Sequence, residues 1–429
     1  MQRYENYKPS DVAWLGDVPT HWDVQPLRAV TSLKSDKNRP ELPVLSVYRE
    51  YGVILKDSRD DNHNATSLDT STYKVVKPGD LVVNKMKAWQ GSMGVSAYDG
   101  IVSPAYITCA TRADRVRPQY LHYLLRSSAL IGVYNSLSYG VRVGQWDMHY
   151  EDFKQIPIPL PPQEEQERIV SFLDQKIAEI DAAIAKKERQ ASLLKEQQFK
   201  LINLAVTKGL DPCAAMISGG TEWIDSPPAH WQLMRIKHVL HAIVDTEHKT
   251  PPMFDEGPAL MVRTSNVKNG ELVLNNAKYT DEQTYRRWTR RAVPVPGDIL
   301  FTREAPAGEA CVLPEGIKAA IGQRMVLFKV NPERLDPHFA VHSIYSGAAK
   351  AFIELLSVGS TVAHFNMSDI GNIPLLLPPL QEQKAISLRI KSIQDQFQPL
   401  IKSVERGVER LQELKRTMIA SVVLGQVKI

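Results

Sequence analysis

The sequence predicts a mixed α/β chain in which two tandem-repeated α/β modules are separated by an antiparallel two-helix coiled coil, with approximate two-fold symmetry. Three observations predict it. The first half of the 429 residues recurs in the second half in the same order. Each half closes on a proline-rich junction, and each junction opens a long segment with apolar residues at every third or fourth position.

The repeat is read by laying the halves on each other. Trp14-Leu-Gly-Asp-Val-Pro-Thr-His-Trp22 returns as Trp223-Ile-Asp-Ser-Pro-Pro-Ala-His-Trp231, and Pro78-Gly-Asp-Leu81 returns as Pro296-Gly-Asp-Ile299. Ser138-Tyr-Gly140 with Met148 matches Ser357-Val-Gly359 with Met367. Ile156-Pro-Ile-Pro-Leu-Pro-Pro162 matches Ile373-Pro-Leu-Leu-Leu-Pro-Pro379, followed by Gln163-Glu-Glu-Gln166 against Leu380-Gln-Glu-Gln383. Gly209 faces Gly425. The organisation is therefore module 1 over 1–155, a junction and first helix over 156–208, and a linker over 209–222. Module 2 follows over 223–372, with a second junction and helix over 373–425.

In the first helix, Leu173, Ile177, Ile180, Ile184, Ala191, Leu194, Leu201 and Ala205 form a seam, interrupted by the polar Lys187 and Gln198 that would fix register. In the second, the seam is Ile386, Ile390, Ile393, Phe397, Leu400, Val404, Val408, Leu411, Leu414, Met418 and Val422. Pro399 is expected to kink this helix near residue 395. About 44 residues at 1.5 Å each make a helix of roughly 65 Å. A linker of about 15 residues can hardly retrace that length, so the pairing should be antiparallel. Glu164 and Glu165, in the first turn, read as solvated charges suiting the helix dipole.

Within the modules, residues 75–84 and 293–302 each read as a Pro-Gly-Asp turn entering a strand, with further strands at 105–109 and 325–330. Helices with proline in the first turn are expected at 118–126 and 337–345. Trp22 and Trp231 should pack in cores.

Hydrophobic residues make up 43% and charged ones 23%, which excludes wholesale disorder. The apolar runs are too short for a bilayer-spanning helix, and the N-terminus lacks an apolar leader segment. Cys109, Cys213 and Cys311 are odd in number and far apart, suggesting buried thiols in a reducing interior. Fifty-two basic and 48 acidic residues give a net charge of +4. Module 1 carries 19 basic and 17 acidic residues, and residues 221–372 carry 16 and 17, so a polyanion partner would have to be met by local arrangement.

Catalytic motifs are missing. There is no Gly-Lys dipeptide for a phosphate loop, no Gly-x-Gly-x-x-Gly after a strand, no His-Glu-x-x-His and no Asn/Asp-Pro-Pro-aromatic.

The combination of Pro-Gly-Asp-Leu/Ile, Gly100-Ile-Val-Ser-Pro-Ala-Tyr106 and the repeated Pro-Pro-x-x-Glu-Gln junction resembles the DNA-specificity subunits of type I restriction-modification enzymes, over essentially the whole chain. The resemblance implies two target-recognition domains, each reading one part of a split, asymmetric site in double-stranded DNA. It implies helices that set the spacing between half-sites and bind two modification (methyltransferase) subunits. Those partners would supply the S-adenosylmethionine chemistry of adenine methylation. A restriction/translocase subunit would supply ATP- and Mg-dependent translocation and cleavage. The chain itself would be non-catalytic, carry no cofactor, touch no membrane and act in the cytoplasm of a prokaryote. A coiled-coil scaffold presenting two protein-binding modules, with no nucleic acid, is the alternative.

Candidate DNA-binding residues come from loops mixing cations, amides and aromatics. In module 1 they are Lys85, Lys87, Trp89 and Gln90 after the Pro-Gly-Asp strand, then Arg142 and Gln145 in Val141-Arg-Val-Gly-Gln-Trp146. In module 2 they are Arg263, Arg303 in Thr302-Arg-Glu-Ala-Pro-Ala-Gly308, Gln323 and Arg324, and Thr361 and His364. Arg286-Arg-Trp-Thr-Arg-Arg291 is the densest basic cluster and a candidate for phosphate contact.

Overall fold

The structure is a computed structural model and describes residues 2–59, 66–67, 69–140, 146–217, 226–247, 249–357 and 364–429. The chain divides into two compact units, Met1–Arg189 with Val404–Ile429, and Gln190–Ser403. Each unit holds one module together with one end of each long helix.

The repeat is repeated in topology. Module 1 is built on an antiparallel sheet in the order Thr31–Lys34, Tyr106–Thr111, Leu81–Asn84, Met93–Val95. Module 2 has the same order in Leu240–Asp245, Met325–Val330, Ile299–Thr302, Ala310–Val312. A separate two-strand ribbon ties the start of each module to its proline junction, Asp23–Pro26 with Pro157–Leu160 and Gln232–Arg235 with Pro374–Leu377. The helices begin as expected, at Pro118–Leu125 and Pro337–Ile344.

The Pro-Gly-Asp motif is a structural turn. Gly79 and Gly297 adopt φ of 93° and 90°, which glycine reaches without strain. The buried Asp80 carboxylate accepts from the Lys77 amide at 2.8 Å and from Lys34 Nζ at 2.7 Å. Asp298 accepts from the Val295 amide at 2.8 Å and Lys329 Nζ at 2.6 Å. A buried carboxylate needs such partners, and the motif carries the turn that aims the next strand.

The Glu-Gln pair at each junction has an equally local role. Gln166, fully buried, accepts from the Arg117 amide at 2.7 Å and donates through Nε2 to Arg115 O at 3.2 Å and Pro161 O at 2.9 Å. Gln383 does the same with the Asp336 amide, Arg334 O and Pro378 O. One amide side chain thus pins the first turn of a long helix to the loop before a module helix. Glu165 is buried, not solvated as expected, and receives Tyr4 OH and His21 Nε2. Its counterpart Glu382 receives His230 Nε2 at 2.8 Å and Trp231 Nε1 at 3.1 Å. Trp22 and Trp231 are core residues as expected. Gly425 and Gly209, at φ of 71° and 77°, end the opposite helices against these tryptophans.

The long helices run Gln163–Lys208 and Leu380–Val423. Within the first unit, Lys415 Nζ meets Asp181 at 2.7 Å, and Lys187 lies over Gly407, where a Cβ would stand 3.1 Å from Nζ. Within the second, Leu194, Leu201 and Ile202 pack on Ile393, Phe397 and Ile401. In the first unit 181 and 187 face 415 and 407, and in the second Gly209, past the end of the first helix, meets Glu382 at the start of the other, so the pairing is antiparallel. Two seam assignments are corrected: Leu400 and Leu414 are exposed, and Ile401 and Lys415 take the inward positions. The steps 393–397–401 are both of four residues, a local departure from the heptad that rotates Leu400 outward. Pro399 lies on the solvent side, and the helix Leu380–Val423 continues through it. Cys109 and Cys311 are buried, with thiols pushed up to about 12 by desolvation, whereas Cys213 is exposed, against expectation. No described helix is long and apolar enough to cross a membrane.

Candidate nucleic-acid interface

In module 1 the strand Leu81–Asn84 runs into a 3₁₀ turn, Lys85–Gln90, closed by Gly91 in the left-handed region. Lys87 is exposed, and Gln90 and Trp89 are half-buried. Trp89 meets Trp146 edge-on at 5.3 Å between ring centroids. Lys85 Nζ pairs with Asp147 at 3.0 Å, both side chains more than one-third exposed. The turn therefore displays two lysines and an amide beside a pair of indoles, a set able to hold phosphate and stack on bases. Arg142 and Gln145 lie outside the described residues.

In module 2 three predicted residues meet around one cleft of about 250 Å³, lined by Thr250, Met253, Arg263, Gln323 and Arg324 among others. Gly322-Gln-Arg324 joins the strand Ala319–Ile321 to Met325–Val330, so both side chains stand at a strand end. Gln323 Oε1 accepts from Thr250 Oγ1 at 2.9 Å. Arg263 donates through NH2 to Asn276 O at 2.7 Å. Arg324 is exposed, with Nε 3.5 Å from Glu304 Oε2.

Arg303 is placed differently from its neighbours. It is buried, with NH1 3.3 Å from Asp245 Oδ2 and NH2 3.0 Å from His364 Nε2. Its amide donates to Arg324 O, and its carbonyl accepts from the Phe365 amide. The guanidinium thus braces the loop from behind and is not displayed to solvent. His364 completes the brace through Nδ1, 2.8 Å from Glu304 Oε1. Thr361 lies outside the described residues.

The basic cluster is partly offset locally, by two carboxylates. Arg287 and Arg290 both face Glu247, at 3.1 and 4.0 Å, and Arg286 faces Glu282. The hydrogen bond from Arg287, aided by nearby Arg290 and Lys249, holds the Glu247 carboxyl below the usual range. Met253 of the cleft packs with Trp288 of the cluster's helix, which places these arginines beside the cleft. Sequence reasoning passed over Glu304 and Thr250. Glu304 lies inside the loop 302–308, but its charge is opposite to that expected against a polyanion; Thr250 carries no local signal. Among the described residues no cluster of His, Cys, Asp and Glu forms a metal site.

A duplicated sheet with polar loops at its strand ends defines a chain of two tandem modules. The family model for the type I restriction modification DNA specificity domain matches twice, over residues 34–191 and 228–409. The chain belongs to that family. Among its relatives, a Methanocaldococcus jannaschii chain assigned as the MjaX type I restriction enzyme specificity subunit is 23% identical, over 99% of this chain and 97% of its own length. The type I restriction enzyme EcoKI specificity subunit of Escherichia coli is 20% identical, over 96% and 90%. A chain from a solved structure concerned with complex assembly and conformational transition of the type I restriction-modification system superposes with a TM-score of 0.69, at 17% identity, over 96% of this chain and 99% of that one. That likeness confirms the fold.

Proposed function

We propose that this chain recognises a split, asymmetric site in double-stranded DNA, one module per half-site, and that its long helices scaffold two modification subunits. On this reading it performs no chemistry. Adenine methylation with S-adenosylmethionine, and ATP- and Mg-dependent translocation and cleavage, belong to its partners, in the cytoplasm.

The observation that carries the reading is the pairing of one fold with two dissimilar displays. The sheets share strand order, with a register shift between Leu240 and Ala242 in module 2 only, yet the loop after the third strand in that order offers Lys85, Lys87, Trp89 and Gln90 in module 1. In module 2 the equivalent loop is folded around a buried arginine, and the display shifts to Arg263, Gln323 and Arg324. Equal frames with unequal side chains suit two half-sites of different sequence, unlike the palindrome that identical subunits would read. The flat net charge suits readout by few, placed groups more than bulk attraction.

The test exchanges residues 1–155 for the corresponding module of a relative and maps methylated adenines genome-wide in a host supplying the partner subunits. One half of the methylated sequence should change and the other stay. An unchanged sequence, or loss of both halves together, would refute one reader per half-site.

A further inference from the structure

We propose that Arg324 and Glu304 of module 2 act as one unit that reads a G·C base pair, Arg324 on the guanine and Glu304 on the cytosine, with Arg303 and His364 as positioning residues. The proposal rests on the reading of module 2 as a DNA-recognition domain.

The starting point is a carboxylate in an unexpected place. Against a polyanion, an acidic side chain at the rim of a basic cleft costs binding energy unless it makes a compensating contact. Glu304 keeps a quarter of its side chain exposed. Its Oε2 lies 3.5 Å from Arg324 Nε, and its Oε1 lies 2.8 Å from His364 Nδ1. That arrangement occupies the inner edge of the Arg324 guanidinium and leaves its terminal nitrogens without a partner among the described residues.

The pair offers two guanidinium N–H donors and, beside them, a carboxylate oxygen with spare lone pairs, which on this proposal meet a base pair in the order donor, donor, acceptor. Across the major groove a G·C pair offers N7 and O6 acceptors, then the N4 amino donor of cytosine. The two rows are complementary in order. An A·T pair offers acceptor, donor, acceptor, which sets the adenine amino group against the guanidinium and the thymine O4 against the carboxylate. Both contacts are then repulsive or unmet.

The row is held from behind. Buried Arg303 lies 4.0 Å from Glu304 Oε1, and its NH2 donates to His364 Nε2 at 3.0 Å. His364 therefore accepts on Nε2 and donates from Nδ1 to Glu304. Asp245 at 3.3 Å balances the Arg303 charge. The Arg303 amide bound to the Arg324 carbonyl joins the two loops at the backbone. Each reading group is thereby oriented before DNA arrives, which lowers the entropy lost on binding.

The experiment selects duplexes from a library randomised across both half-sites, using the full chain with its modification subunits. The intact complex should enrich G·C at one position of module 2's half-site, roughly 5- to 150-fold over other pairs, the range for a good bidentate contact. Arg324→Ala should bring that ratio near one there and leave the other half-site unchanged. Glu304→Ala should relax the same position, chiefly by admitting A·T. Arg324→Lys, which keeps the charge but not the fork, should lose the preference while retaining affinity for random duplex. Replacing that guanine by 7-deazaguanine should weaken the intact complex and leave Arg324→Ala indifferent. Relaxation at an A·T position, relaxation by the two alanine variants at different positions, or no response to 7-deazaguanine would overturn the proposal. If exchange of residues 223–372 alters a half-site but Arg324→Ala alters nothing, this proposal fails alone. If neither alters the selected sequence, the DNA-recognition reading of module 2 fails with it.

Discussion

Replacing Gln166 by alanine tests the physical account of the helix junction. Gln166 is fully buried and makes three hydrogen bonds, one received from the Arg117 amide and two given to the carbonyls of Arg115 and Pro161. Alanine leaves one backbone donor and two carbonyls without that partner in the same enclosed space. At about 1 kcal/mol per lost bond, and somewhat more where water cannot enter, the local cost is about 3–4 kcal/mol. A single melting temperature would blur this, because two units can open separately. Amide hydrogen exchange reads it locally. Protection at the Arg117 amide should fall by roughly two to three orders of magnitude in Gln166→Ala, since 1.4 kcal/mol is tenfold. Asp336, the equivalent amide in the other unit, should be unaffected, and Gln383→Ala should give the mirror result. A fall below about fivefold at Arg117, or equal loss at both amides, would show that the side chain does not pin the junction.

Three further outcomes follow from the same structure. Gly425→Ala should destabilise the first unit by more than about 2 kcal/mol, because φ is 71° and a Cβ would stand 2.5 Å from the Pro19 ring. Gly209→Ala should cost less, its nearest contact being a movable Glu382 oxygen at 3.0 Å. Urea titrations followed by unit-specific tryptophan probes would rank them, and the reverse order would contradict the account. Burial lowers both His122 and His342 from the ordinary value to about 4. Their contribution is present above about pH 6.5 and is lost as pH falls toward 4, because the unfolded state takes up the proton first. His122→Asn should flatten that loss in the first unit, on the order of 2 kcal/mol, as read by denaturation at pH 7 and pH 4.5. Four residues inserted in one long helix, close to one turn, should lengthen the unread spacer between methylated half-sites; an unaltered spacer would mean that the helices do not set it.

What the sequence determined by itself was the repeat, the fold class, the two long helices, their antiparallel sense and the family. Each of these is written in short-range patterns, such as helical spacing, proline and glycine punctuation, and recurring motifs at matched positions. Why the motifs recur came from tertiary structure. Gln166 and Gln383 look like ordinary polar residues at helix starts, and only the fold brings the loop before residue 118 or 337 onto them. Glu165 read as solvated because its partners, Tyr4 and His21, lie some 150 residues away. Leu400 and Ile401 are both apolar and adjacent, so the inward one is chosen by packing against the facing helix, which a linear pattern does not hold. The site divides the same way. Composition singled out Arg303 and Arg324 alike, but strand pairing buries one beneath the loop and presents the other at its rim, because the sheet's register, not residue type, sets which side chain meets solvent.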